Sequence, residues 1–140
     1  MILLIIIEED GVSMNRENSK VSIVIRTKNE EKWIGKCLDT IFKQKTSSEV
    51  EVILVDNNST DNTVEKVLSF KKKFKKLFLL NGEKLPDGWV GKTWALKQGV
   101  DLANKKQFDY YNFIDSDIIL DKNLLRDACL FVKSEKLSML

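Results

Sequence analysis

The 140-residue chain contains no histidine. That excludes Ser-His-Asp and Cys-His nucleophilic machinery, and any zinc site built on imidazole. A metal held here must be held by oxygen, which selects hard cations such as Mg2+ or Mn2+. Cysteine is scarce too. Cys37 and Cys129 both fall inside apolar helical patterns, so they read as buried thiols in a reducing compartment and not as a bridge or a metal pair. Long apolar runs are missing: the opening MILLIII has seven such residues, too few to span a bilayer, and lacks the basic flank of a signal peptide. Charge of one sign is missing as well, since a net +2 is too small to argue for a nucleic-acid partner.

What is present is enough apolar residue, 43%, to build the core of one ordinary domain. Residues 1–19 are expected to be a poorly structured extension, with Met14 as good a start as Met1, and residues 20–140 to form the domain. Val21–Arg26 is a β-branched run without alternation, as expected of a parallel strand buried on both faces. Trp33, Ile34, Cys37, Leu38, Ile41 and Phe42 then recur at helical spacing, to about Gln44. Glu51–Asp56 is a second buried strand, and NNSTDNT supplies turn and capping chemistry for a helix marked by Val64, Val67, Leu68 and Phe74. Leu77–Leu80 reads as a third strand, Gly91–Asn104 as a third helix, Tyr110–Asp115 as a fourth strand, and Leu124 to Val132 as a last helix.

The order βαβαβαβ followed by a helix predicts an α/β fold with a doubly wound, mostly parallel sheet. Ligands bind such sheets beyond the carboxyl ends of the strands. Each unusual polar cluster lies at one of those ends: RTKNEE, DNNSTDNT, LPDGWVGK and DSD. The basic run KKKFKK (residues 71–76) reads as the solvated end of a helix, and a peripheral contact with an anionic membrane surface is its alternative.

Gly91-Lys92-Thr93 has the ending of a phosphate-binding P-loop, but Pro86 stands where the first glycine belongs and cannot supply that turn. No dinucleotide fingerprint follows any strand, and Arg26 and Thr27 occupy the place where a receiver-type acceptor at Asp56 would need acids. Asp115 and Asp117 are two apart; in an extended segment both carboxylates point to one side, an arrangement relieved by Mg2+ or Mn2+ or by a sugar hydroxyl. A turn or cap role is the plainer reading of the same pair. Asp56 is either a turn acid for NNST or an acceptor for a base or ribose. Lys92, at a helix start, is either a diphosphate partner or an exposed lysine, and Trp89 and Trp94 are core aromatics or a platform for a ring.

Together these segments resemble the family 2 glycosyltransferases, which have a GT-A fold. VSIVIRTKNEE is similar to the opening strand and nucleotide-facing turn of that family, VILVDNNSTDNT to its VDDGSTDGT segment, and FIDSD to its D-x-D strand. LPDGWVGKTWALKQG is similar to the hopanoid- and carotenoid-associated branch. The likeness covers roughly residues 21–130. It implies that Thr27, Asn29, Glu30 and Asp56 face the nucleoside of a nucleotide-diphosphate sugar, that Lys92 approaches the diphosphate, that Asp115 serves ribose or metal, and that Asp117 serves the metal, Mg2+ or Mn2+. Two departures stand out: the family often has proline at the place of Arg26, and Asn57 and Asn58 replace an acid and a glycine. Asparagine tolerates the left-handed conformation, so the turn is expected to survive.

The resemblance implies glycosyl transfer to an unassigned acceptor, with lipid-linked acceptors suggested by the branch. Relatives continue past the D-x-D into an acceptor half carrying a general base; no catalytic base is identified here, and the expectation is a donor-binding half, inactive alone. Its expected place is the cytoplasm, with the inner membrane face as the site of any peripheral contact. The alternatives are a non-catalytic nucleotide-binding module completed by a partner chain and, more remotely, a P-loop NTPase.

Overall fold

The computed structural model describes residues 2–6, 20–105, 108 and 110–135. In chain order its elements are β1 (Ile2–Ile6), β2 (Lys20–Thr27), α1 (Ile34–Phe42), β3 (Glu49–Asp56), α2 (Thr63–Lys73), β4 (Leu77–Asn81), α3 (Gly91–Asn104), β5 (Tyr110–Asp115) and α4 (Leu124–Glu135). They form one five-stranded sheet of order β1-β5-β2-β3-β4, in which β5, β2, β3 and β4 are mutually parallel.

The unbroken β-branched runs occupy the middle of the sheet because both of their faces are covered. Val21, Ile23, Ile25, Val52 and Leu54 pack with Ile34, Cys37, Leu38 and Ile41 of α1, Val67 of α2, and Leu125 and Cys129 of α4. The alternate residues Val24, Ile53 and Tyr111 pack on the other face with Ala103, Leu96 and Val100 of α3. Helices on both faces make the sheet doubly wound, as the sequence predicts. Gly99 sets the approach of α3: a Cβ there would lie 2.4 Å from Val24 Cγ1.

Three boundaries differ from expectation. Residues 1–19 are expected to be poorly structured, but Ile2–Ile6 pair antiparallel with β5, an edge addition common on parallel sheets. The rest of that stretch lies outside the described residues. Helix α1 ends at Phe42 before reaching Gln44, whose side chain instead donates to the Asp121 carbonyl at 2.6 Å and accepts from the Leu125 amide at 3.1 Å. Phe74 terminates α2 in extended conformation and stacks on Phe42 with ring centroids 3.8 Å apart. Lys71, Lys72 and Lys73 form the last turn of α2 and are exposed, in keeping with the solvated helix end.

The first two crossovers step outward from β2 to β3 to β4, and the third returns to the far side of β2. The carboxyl ends of β2 and β5 therefore flank the switch point, where an open α/β sheet leaves a crevice for a ligand.

Candidate active site

A cavity of about 180 Å3 lies at that switch point, lined by Arg26, Lys28, Glu30, Lys92, Asp115, Ser116 and Asp117. Arg26 and Asp115 are register neighbours across the β2–β5 pair, so their side chains leave the sheet on the same face. That face is covered by α3, whose first turn places Lys92 Nζ 2.6 Å from Asp115 Oδ1. The hydrogen bond from Lys92 is the main reason the Asp115 carboxyl is held below its ordinary range. Both partners are well exposed, 43% and 36%, so the pair orients its groups more than it stabilises the fold.

Asp117 reaches the cavity by a different route from the one its spacing suggests. Strand β5 ends at Asp115, and the Ile118 amide donates back to the Asp115 carbonyl at 3.2 Å. The two carboxylates converge through this turn, not through strand alternation. Cys37 lies beneath it, with its Sγ 3.9 Å from the Asp115 carbonyl. Burial, and then the Asp117 charge, push the Cys37 thiol up to about 12, so it is neutral at physiological pH, as a packing thiol should be.

The cavity rim is built by two turns that grip each other. Asn29, in the left-handed region at φ 51°, donates its amide to Ser59 Oγ at 2.9 Å and accepts from the Thr60 amide at 2.7 Å. The Glu30 amide donates to Thr63 Oγ1 at 2.9 Å, the Glu31 amide to Asp61 at 3.3 Å, and the Asn62 amide to Glu31 at 3.1 Å. Asp56, only 5% exposed, accepts from the Ser59 amide at 3.1 Å and the Ser59 hydroxyl at 2.5 Å. Asn58 takes φ 55°, the left-handed conformation expected of it, so the turn does survive.

Of the residues singled out from sequence, Glu30, Lys92, Asp115 and Asp117 meet in the cavity. Thr27, Asn29 and Asp56 do not line it. Thr27 is fully buried, and the side chains of Asn29 and Asp56 are engaged by the turns. Arg26, Lys28 and Ser116 are cavity residues that sequence reasoning missed; a charged residue ending the β-branched run of β2 was the available signal for Arg26. Trp89, 39% exposed, meets Trp94 edge-on at 5.2 Å, and neither lines the cavity.

Glu30 is held above its ordinary range of 4.5, first by burial and then by the charges of Asp117 and Asp61. The folded chain therefore binds this proton more readily than the unfolded one. Stability falls as pH rises from 4.5 through the folded value, and the deficit is complete once the pH is above that value. Glu30→Gln is expected to raise the melting temperature at pH 7, with the gain shrinking as pH drops toward 4. Thermal melts of both proteins at the two pH values check the sign.

Asp115 and Asp117 offer hard carboxylate oxygens, and among the described residues no third ligating side chain joins them in a metal-holding cluster. Such a donor set fits Mg2+ or Mn2+, which take one or two carboxylates and fill their remaining positions with water and phosphate oxygens.

The family model for Glycosyl transferase family 2 matches residues 22–139. The chain belongs to glycosyl transferase family 2. Among its relatives within that family is the poly(ribitol-phosphate) β-N-acetylglucosaminyltransferase TarS of Staphylococcus aureus, 32% identical over 116 residues, covering 81% of this chain and 19% of TarS. The 4,4'-diaponeurosporenoate glycosyltransferase of S. aureus is 31% identical over 107 residues, covering 76% of this chain and 26% of that protein. The chain thus spans only a minor part of these relatives' length. A crystal structure of TarS residues 1–349 with UDP-GlcNAc superposes with a TM-score of 0.68 at 29% identity, covering 84% of this chain and 32% of that one. A mannosyltransferase of Pyrobaculum calidifontis, solved with GDP-Man and Mn2+, shares the fold at a TM-score of 0.60 and 22% identity, covering 82% of this chain and 32% of that one. The fold is that of the GT-A glycosyltransferases of family 2.

Proposed function

We propose that this chain forms the donor-binding portion of a glycosyltransferase and takes a nucleotide-diphosphate sugar at the β2–β5 switch point. The observation that carries the reading is the meeting of Lys92 with Asp115 and Asp117 in the cavity at the switch point of the sheet. At about 180 Å3 the cavity is smaller than the roughly 300 Å3 at which sites for whole small molecules begin, which suits a diphosphate and a cation, with nucleoside and sugar extending outward. The UDP-GlcNAc bound by TarS supports a nucleotide-sugar donor.

In this reading Lys92, at the start of α3, binds the diphosphate, where the helix N-terminus adds its favourable field. Asp117 and Asp115 would hold Mg2+ or Mn2+, and that ion would neutralise charge developing on the leaving diphosphate. Asn29 and Asp56 keep the rim in shape, and Thr27, Asn29, Glu30 and Asp56 remain on the nucleoside side of the proposed site. Calorimetric titration with a panel of nucleotide sugars, with and without Mn2+, tests the proposal. Saturable binding of at least one is expected, and a folded chain that binds none of them would overturn it.

A further inference from the structure

Arg26 is an unusual residue for its position. It is the last but one residue of β2, the five before it are buried, and its Nε is buried with no hydrogen-bond partner among the described residues. A guanidinium normally spends such a donor on a carboxylate, because an unpaired buried donor is costly. The nearest carboxylate in register, Asp115, already accepts from Lys92 at 2.6 Å. Glu30 and Asp117 also line the cavity, and the Arg26 charge acts on Glu30, yet neither carboxylate accepts from Arg26 Nε.

Two further features face the same space. Arg26 Nη2 lies 4.0 Å from where a Cβ on Gly91 would stand, so the guanidinium sits against the first turn of α3. That turn has no side-chain cap from Val90 and no acid of its own. An uncapped helix start and a guanidinium whose buried Nε–H has no acceptor both call for an oxyanion, and the planar fork of arginine matches phosphate in a way a lysine does not.

We infer that Arg26 is a diphosphate-binding residue of this site, turning its guanidinium onto a phosphate oxyanion beside the start of α3 while Lys92 takes another. The inference rests on the donor-site reading above and adds a ligand to it.

The test uses UDP and inorganic pyrophosphate, titrated calorimetrically into the full chain and into Arg26→Gln and Arg26→Lys. Arg26→Gln is expected to lose about tenfold or more in affinity for both, the loss of one charge-assisted hydrogen bond, and Arg26→Lys to recover part of it. A readout on the native chain guards against a variant that fails to fold. The Arg26 Nε–H resonance, assigned by its disappearance in Arg26→Lys, should shift on adding pyrophosphate. UDP binding that is unchanged in folded Arg26→Gln, or an Nε–H signal unmoved at saturating pyrophosphate, overturns the inference and leaves the donor site standing. Failure of UDP and of every nucleotide sugar to bind the native chain overturns both.

Discussion

Lys92→Met should weaken nucleotide-diphosphate binding by about tenfold to a hundredfold and, at the same time, strengthen the binding of Mn2+ alone by a few-fold. The loss follows from removing a cation that can make a charge-assisted hydrogen bond to phosphate, worth about 1.5–3 kcal/mol. The gain follows from the geometry of the site. Lys92 Nζ sits 2.6 Å from Asp115 Oδ1, on an oxygen that the cation would need. Breaking an exposed pair costs little, about 0.2–1 kcal/mol, so the metal gains only modestly when the lysine is gone. Methionine keeps the apolar stem and removes only the charge. Calorimetry with UDP and, separately, with Mn2+ reads both effects. A parallel loss of both affinities together with a lower melting temperature would show that Lys92 is structural and that the opposite signs do not exist.

Gly99→Ala is expected to destabilise the fold although alanine is the better helix former. A Cβ at position 99 would stand 2.4 Å from Val24 Cγ1, with Val55 Cγ2 at 3.5 Å and Ile53 Cγ2 at 3.6 Å. All three are stiff β-branched side chains in the centre of the sheet, so none can swing aside as a long flexible chain would. Forcing a methyl into such a place costs about 1–3 kcal/mol. The helix-propensity gain of about 1 kcal/mol offsets only part of that. Gly35→Ala in α1 is the matched contrast: its Cβ would meet only Phe70 Cε2, at an ordinary 3.8 Å, and the helix gain should appear as a stabilisation of about 0.5–1 kcal/mol. Urea unfolding of both variants gives the two signs. A stabilised Gly99→Ala would mean that α3 does not rest on the sheet as closely as described.

Much of the architecture was legible because local patterns carried it. The buried strands at Val21–Arg26 and Glu51–Asp56 announce themselves by unbroken β-branched runs, and α3 and β5 fall where periodicity and turn residues put them. What was not legible depends on contacts distant in sequence. β1 exists by pairing with the outer edge of β5, more than a hundred positions along the chain, which no local pattern signals. Arg26 belongs to the site because strand pairing sets it beside Asp115, a matter of register and not of motif. Asn29 and Asp56 sit in segments that match the family's nucleotide-facing turns, and Asn29 Oδ1 and the Asp56 carboxylate also hold Thr60 and Ser59. The family motif located the right turns and left open which side chains serve the turns themselves.

Those interlocked turns carry a consequence for the motions of the site. Amides at Asn29, Glu30 and Glu31 end on side chains of residues 59–63, while amides at Thr60 and Asn62 end on side chains of residues 29–31. With bonds running both ways, neither turn can lift off while the other stays in place. Solvent should therefore reach all five amides through a single opening event, and a substitution in either turn should speed exchange in both.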